Sequence, residues 1–171
     1  MRTRTLLLLA TTLTLSTVGV AGVAVSGPSP AASGPESVGP AAGGALRAAA
    51  ILRAWDRRRA AAWSHGDAAA LSGLYTRRSR SGAQDAADLR RWQHRGLRVL
   101  GLRQQVAALR VRVDTSRRLL LTVTDRTVDA VAAGRDRRTA LPRSAWTTHR
   151  IRLLRVHGRW LVDEVVAQPA R

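Results

Sequence analysis

The hydrophobic period of this sequence changes from helical to strand-like close to residue 97, and this change limits the folds open to it more than any other feature. Before that point, large apolar residues recur with a period of about 3.6, which is typical of amphipathic helices. After it, Leu109, Val111 and Val113 alternate with arginines, which is typical of half-buried strands. This order of elements, with the helices before a series of closely connected strands, predicts an α+β fold in which helices cover one face of an antiparallel sheet.

Three helices are predicted before the change of period. The first covers residues 45–64 and ends at Gly66, with Ile51, Leu52, Trp55 and Trp63 on one side. Asp67 is predicted to cap a short second helix that continues to Leu74. Residues 76–83 form an arginine-rich loop in this prediction, and Asp85 is expected to cap a third helix that stops at Gly96.

The remaining chain is predicted to form four or five antiparallel strands. Residues 97–104 begin the sheet with a bend at Gly101, and residues 133–143 form a loop. Further strands are predicted at about 109–113, 119–124, 144–156 and 159–167, with turns at residues 114–116 and 157–158. The predicted architecture is three N-terminal helices packed on a curved, four- to five-stranded antiparallel sheet, a cone-shaped roll.

The N-terminal segment predicts export from the cytoplasm. Arg2 and Arg4 precede residues 5–25, which carry no charge. This order is typical of a secretory signal, and the run is also close to the roughly 20 residues that span a bilayer. Residues 1–26 are therefore a signal peptide or a retained membrane anchor. Residues 27–44, rich in Gly, Pro, Ala and Ser, are predicted to be a flexible linker, and residues 45–168 the folded domain.

The charge of the chain has three interpretations. All 29 basic residues are arginine, and the formal net charge is +18. The first interpretation is that the arginines serve general solvation and reflect the base composition of the genome. The second is attraction to anionic lipid or acidic envelope polymers. Nucleic acid is the third, but export and the dispersed arginines argue against it. The sequence leaves open whether two copies of the chain form a homodimer.

Composition and spacing also exclude several kinds of site. The chain has no cysteine, which excludes a disulfide and a lipoprotein anchor. Its histidines lack the spacing of metal ligands, so no metal is expected: His65, His94, His149 and His157. We find no phosphate-binding glycine loop or nucleophile elbow, and no cofactor is expected.

Four stretches resemble the nuclear-transport-factor-2-like superfamily, also called the cystatin-like or SnoaL-like α+β roll. They are Trp55-Asp56, the Gly66-Asp67 turn leading to Leu71 and Tyr75, Trp92 before residues 95–97, and residues 158–162 with the sequence GRWLV. The resemblance covers residues 45–168 and extends to exported actinobacterial members. It implies a conical pocket between helices and sheet, but the superfamily hosts enzymes, binding modules and scaffolds, so it does not settle function.

Candidate catalytic residues follow from strand parity and from this implied pocket. Asp125 shares parity with the apolar residues of its strand, as does His149, and Tyr75 is the only tyrosine. Together they would suffice for general acid–base chemistry. The structural alternatives are an ion pair for Asp125, a hydrogen-bonded core position for His149 and a core cap for Tyr75 with its hydroxyl in water. For Asp56, an intrahelical ion pair is favoured over proton transfer.

The tryptophans supply most of the aromatic area, because phenylalanine is absent. Structural anchoring is the favoured role, and an aromatic pocket for an apolar ligand is the alternative, with four candidates: Trp55, Trp63, Trp92 and Trp146. The function favoured by the sequence is a non-enzymatic exported domain that binds or scaffolds an unidentified ligand or envelope protein. The alternatives are a small cyclase- or isomerase-type enzyme and a basic domain on anionic envelope surfaces.

Overall fold

A computed structural model describes residues 40–169, in which three helices precede seven strands. The helices are α1 (Pro40–His65), α2 (Ala68–Ser72) and α3 (Arg80–His94). The strands are β1 (Arg98–Leu100), β2 (Arg103–Asp114), β3 (Arg118–Val128), β4 (Val131–Ala133), β5 (Arg138–Ala140), β6 (Thr147–Val156) and β7 (Arg159–Ala167). The predicted signal or anchor and most of the predicted linker lie outside the described residues. Within residues 40–169, no helix is both long and apolar enough to span a membrane.

The strands form two antiparallel sheets. The larger has the order β2-β3-β6-β7, and the smaller has the order β1-β4-β5. The α+β roll is confirmed, but the single sheet of four or five strands is divided. The chain bends at Gly101, whose φ of 66° favours glycine, so β1 pairs with β4 instead of continuing into β2. The predicted loop at residues 133–143 also contains β5, which pairs with β4.

Two predicted helix boundaries are wrong. α1 begins at Pro40, so residues 40–44 of the predicted linker are helical; proline is well tolerated in a first turn. α3 begins earlier than predicted, and its cap is Ser79, whose hydroxyl accepts from the Gly82 backbone N–H. Asp85 is not a cap, because its carboxylate is buried and paired with Arg59. The cap prediction for Asp67 is confirmed, since its carboxylate accepts from the Ala70 N–H.

The core lies between the helices and one face of the larger sheet. In β3, residues alternate between buried and partly exposed positions, as the period of 2 predicts. The largest fully buried side chains come from both layers: Trp63, Leu71, Leu89, Leu119, Leu121 and Leu153, with Val99, Val123 and Val162. This packing fixes which strand residues face the helices, and it therefore determines which polar residues can reach the interior.

Gly82 is the point of closest approach between α3 and Tyr75. A Cβ atom at this position would lie 2.5 Å from Cβ and Cγ of Tyr75. We expect Gly82→Ala to destabilise the domain by about 1–3 kcal/mol in urea unfolding, because overpacking outweighs the gain in helix propensity. Gly43→Ala is the matched control: a Cβ atom added there would have no neighbour within 4 Å, so it should stabilise α1 by about 0.5–1 kcal/mol. Equal effects of the two variants would contradict the close contact.

Candidate functional site

A small cavity of about 40 Å³ lies between α1 and the helix-facing side of the larger sheet. At roughly 10–15 Å³ for each water, it has room for about three water molecules. Five titratable side chains line it: Asp56 and Arg59 from α1, Tyr75, Asp125 from β3 and His149 from β6. A polar wall is completed by Gln104, Thr127, Ser144 and Thr147. A cavity with several polar groups is suited to hold water or the polar end of a ligand.

Strand pairing brings Asp125 and His149 together. β3 and β6 are antiparallel neighbours, with Val123 opposite His149 and Asp125 opposite Thr147. Nε2 of His149 lies 3.3 Å from Oδ1 of Asp125. His149 is only 5% exposed, and its Nδ1 is buried without a hydrogen-bond partner. A buried polar atom without a partner costs about 1–3 kcal/mol, so it identifies a place where a bound molecule would be stabilised.

Tyr75 lines the same cavity, but its hydroxyl is engaged elsewhere. Its Oη donates to Oδ2 of Asp85 over 2.8 Å, and its ring packs edge-on against Trp55 with the centroids 5.3 Å apart. Burial raises the pKa of Tyr75 well above its ordinary value, although the charge of Arg59 opposes this. The interpretation of Tyr75 as a cap with its hydroxyl in water is therefore wrong. Within this arrangement the phenol supports the wall of the cavity.

Asp56 differs from its predicted role. Within residues 40–169 it makes no ion pair, so the expected intrahelical pair is not formed. Burial raises its pKa to about 7; the charge of Arg59 lowers this pKa, and the charge of Asp125 raises it further. A carboxyl group with such a pKa exchanges its proton near neutral pH, as general acids and bases do. The sequence feature that indicates this burial is the helical spacing, because Asp56 lies four residues after Leu52 on the buried stripe of α1.

A buried ion pair lies beside the cavity. Arg59 donates from Nε and Nη2 to the two carboxylate oxygens of Asp85, over 2.7 and 2.6 Å. Trp63 donates from Nε1 to Oδ1 of Asp85 over 3.2 Å. Burial lowers the pKa of Arg59, but the electrostatic and hydrogen-bond interactions with Asp85 and Tyr75 together outweigh this and hold the pKa above its ordinary value. Together with Tyr75, these groups satisfy the carboxylate and join α1 to α3.

The four tryptophan candidates occupy different environments. Only Trp55 lines the cavity, and its Nε1 donates to the Leu74 carbonyl oxygen over 3.0 Å. Trp63 belongs to the buried ion-pair network, and Trp92 packs against the core beneath Arg95. Trp146 is 44% exposed and lies under the Arg126 guanidinium, 4.5 Å from it. The four tryptophans therefore do not line one common cavity, because tertiary packing distributes them over separate parts of the domain.

An outer cleft of about 440 Å³ adjoins the cavity. It lies between α1 and the chain from the β1–β2 connection into the start of β2, and it shares Asp56, Arg59 and Gln104 with the inner cavity. Its volume falls within the roughly 300–1,000 Å³ that small-molecule sites occupy. In the part of the chain that the structure describes, no group of three or more potential metal-ligating side chains is found.

The chain matches no family model and no curated protein. The intermembrane-space region of the chloroplast protein ARC6 superposes with a TM-score of 0.50 at 14% identity, covering 74% of this chain and 97% of that chain. A protein of unknown function from Mycobacterium tuberculosis superposes with a TM-score of 0.51 at 15% identity, covering 79% of this chain and 78% of that chain. A domain of unknown function with a cystatin-like fold from Nostoc punctiforme superposes with a TM-score of 0.44 at 15% identity, covering 72% of this chain and 77% of that chain. The likeness shows the fold alone.

Proposed function

We propose that this chain, whose fold is the nuclear-transport-factor-2-like α+β roll, is an exported or membrane-anchored domain that binds a small ligand at the cell envelope. Export is inferred from Arg2, Arg4 and the uncharged residues 5–25. Binding is inferred from the inner cavity and the adjoining cleft. The observation that carries the proposal is the buried Nδ1 of His149, a polar atom without a partner beside Asp125 in a cavity with a polar wall.

The arrangement favours binding over a purely structural role for this cluster. Core packing alone does not require Asp56, Asp125 and His149 around one cavity, because burying each of them is unfavourable unless it is paired. Asp85 illustrates the structural solution, with all its partners in place. Within the described residues, Asp56 has no ion-pair or hydrogen-bond partner for its carboxyl group, and Nδ1 of His149 has none either. On this proposal, a ligand or ordered water completes their hydrogen bonds.

Location is tested by fractionating the producing cells with a C-terminal tag and sequencing the mature N-terminus. Export predicts the tagged protein outside the cytoplasm, either in the membrane fraction with residues 5–25 retained or released without them. The intact chain in the cytosolic fraction would contradict the proposal.

Ligand binding is tested by native mass spectrometry of the protein purified without denaturation. We expect an added small-molecule mass that disappears when the protein is unfolded. Ile151→Phe enlarges a side chain that lines the cavity and should abolish the added mass. Leu154→Phe, on the opposite face of β6, is the matched control and should retain it. A wild-type protein without an added mass, or retention in Ile151→Phe, would contradict binding in this cavity.

Acid–base catalysis is a second candidate, which the pKa of Asp56 near 7 favours. A pocket enzyme of the isomerase type would move a proton next to a carbonyl group, with Asp56 or Asp125 as base and His149 beside it. Deuterium exchange at the α-carbons of cyclohexanone in D₂O, followed by proton NMR, provides the test. Acceleration that is lost in Asp56→Asn and kept in Asp88→Asn would support catalysis, and no acceleration by the wild-type protein would exclude it for this probe.

A further inference from the structure

The outer cleft has two kinds of arginine on its walls. Arg59 is neutralised by Asp85, and Arg103 is paired with Asp129. Arg53 and Arg57 are exposed, and within residues 40–169 neither makes an ion pair or a side-chain hydrogen bond. The cleft therefore offers two uncompensated positive charges next to a volume of about 440 Å³.

The two free arginines are placed to act on one anionic group. Arg53 and Arg57 are four residues apart on α1, so their side chains start from the same face of the helix, with Cβ atoms roughly 5–6 Å apart. Both line the cleft. Guanidinium groups match the planar geometry of carboxylates and bind them through paired hydrogen bonds. A carboxylate in the cleft can thus contact both arginines at once.

The remaining walls are suited to an uncharged body and a polar end. Leu102, Ala60 and Gly101 provide the apolar part of the lining. Asp56 and Gln104 lie where the cleft meets the inner cavity, because they line both. A ligand held by its anionic end at the arginines would cross the apolar part and reach these two side chains with its other end.

We propose that the outer cleft binds a small organic acid, with its carboxylate held by Arg53 and Arg57 and its body directed towards Asp56 and Gln104. This inference rests on the proposed function, because it gives the chemical class of the ligand of the same site. It differs from general attraction to anionic surfaces, since it requires these two arginines and an apolar portion of the ligand.

The test is isothermal titration of the full chain with hexanoate, its neutral isostere hexanamide, and inorganic phosphate. We expect saturable binding of hexanoate that weakens at least tenfold in the double variant Arg53→Gln/Arg57→Gln. The matched control is Arg77→Gln/Arg78→Gln, which removes the same charge from exposed positions outside the cleft and should leave binding unchanged. Phosphate should bind at least tenfold more weakly than hexanoate, because it has no apolar portion.

Three outcomes would overturn the inference: no binding of hexanoate, equal weakening by the two double variants, or phosphate binding as tightly as hexanoate. Titration with the neutral hexanamide distinguishes a failure of this inference from a failure of the proposed function. If hexanamide shifts the His149 ring signals by NMR while hexanoate shows no dependence on the two arginines, the pocket binds ligands but does not select acids. If neither probe binds and no small molecule is captured, both proposals fail.

Discussion

Replacing Asp85 with alanine is expected to lower the free energy of unfolding by about 3–5 kcal/mol, because it leaves the buried Arg59 guanidinium without its counter-charge. The same change removes the acceptor for Trp63 Nε1 and Tyr75 Oη, both of which are buried. Urea unfolding followed by tryptophan fluorescence measures the loss. If the variant is too unstable to purify, Asp85→Asn retains one acceptor oxygen and should show a smaller loss of the same sign.

Asp88→Ala is the matched control for this prediction. Asp88 lies on the same helix and pairs with Arg91, whose side chain is exposed. A pair with an exposed partner contributes about 0–1 kcal/mol, so the control should remain close to wild type. A loss below about 1 kcal/mol for Asp85→Ala would contradict the role of this buried network in joining α1 to α3.

Replacing Asp56 with asparagine is expected to stabilise the domain at pH 8 by up to about 4 kcal/mol. The folded pKa of about 7 lies above the ordinary value of 3.8, so the folded protein holds this proton more tightly than the unfolded chain does. The contribution of Asp56 to stability therefore falls as pH rises from about 4 to about 7 and is constant outside that window. A pKa difference of one between the folded and unfolded states corresponds to about 1.4 kcal/mol. Asparagine is uncharged and has no such dependence.

The measurement is urea unfolding of both proteins between pH 4 and pH 8. The difference between variant and wild type should be small at pH 4 and reach its maximum above pH 7. Asp163→Asn is a control of opposite sign: a hydrogen bond from Thr76, together with Arg152, lowers the pKa of Asp163 although burial opposes this. That variant should lose stability at pH 7. A pH-independent difference for Asp56→Asn would contradict the raised pKa.

The features predicted from the sequence depend on neighbouring residues, and those missed depend on distant ones. The parity of β3 and β6 places Asp125 and His149 on the helix-facing side, and the cap at Asp67 follows from its own turn. Ser79 and Asp85 are both good cap residues, and only the pairing of Asp85 with Arg59, 26 residues away, decides between them.

The ion pair predicted for Asp56 is wrong for a related reason. Its arginine neighbours in the sequence suggest such a pair, yet α1 turns Asp56 towards the sheet and Arg59 towards Asp85. The helical period alone contained this information, since both residues lie on the stripe that carries Leu52 and Trp55. The division of the strands into two sheets has no comparable local signal, because it depends on which strand pairs with β1 and β5.

The most direct test of the proposed pocket is an NMR titration of the carboxyl carbons of the aspartates in the folded protein. The central claim is that the pocket holds a carboxyl group that exchanges its proton near neutral pH, beside Asp125 and His149. We expect the Asp56 signal to titrate with a midpoint near pH 7, while Asp163 in the same spectra titrates below its ordinary value. An Asp56 midpoint close to 3.8 would contradict this claim, because the carboxyl group would then be a solvated surface charge.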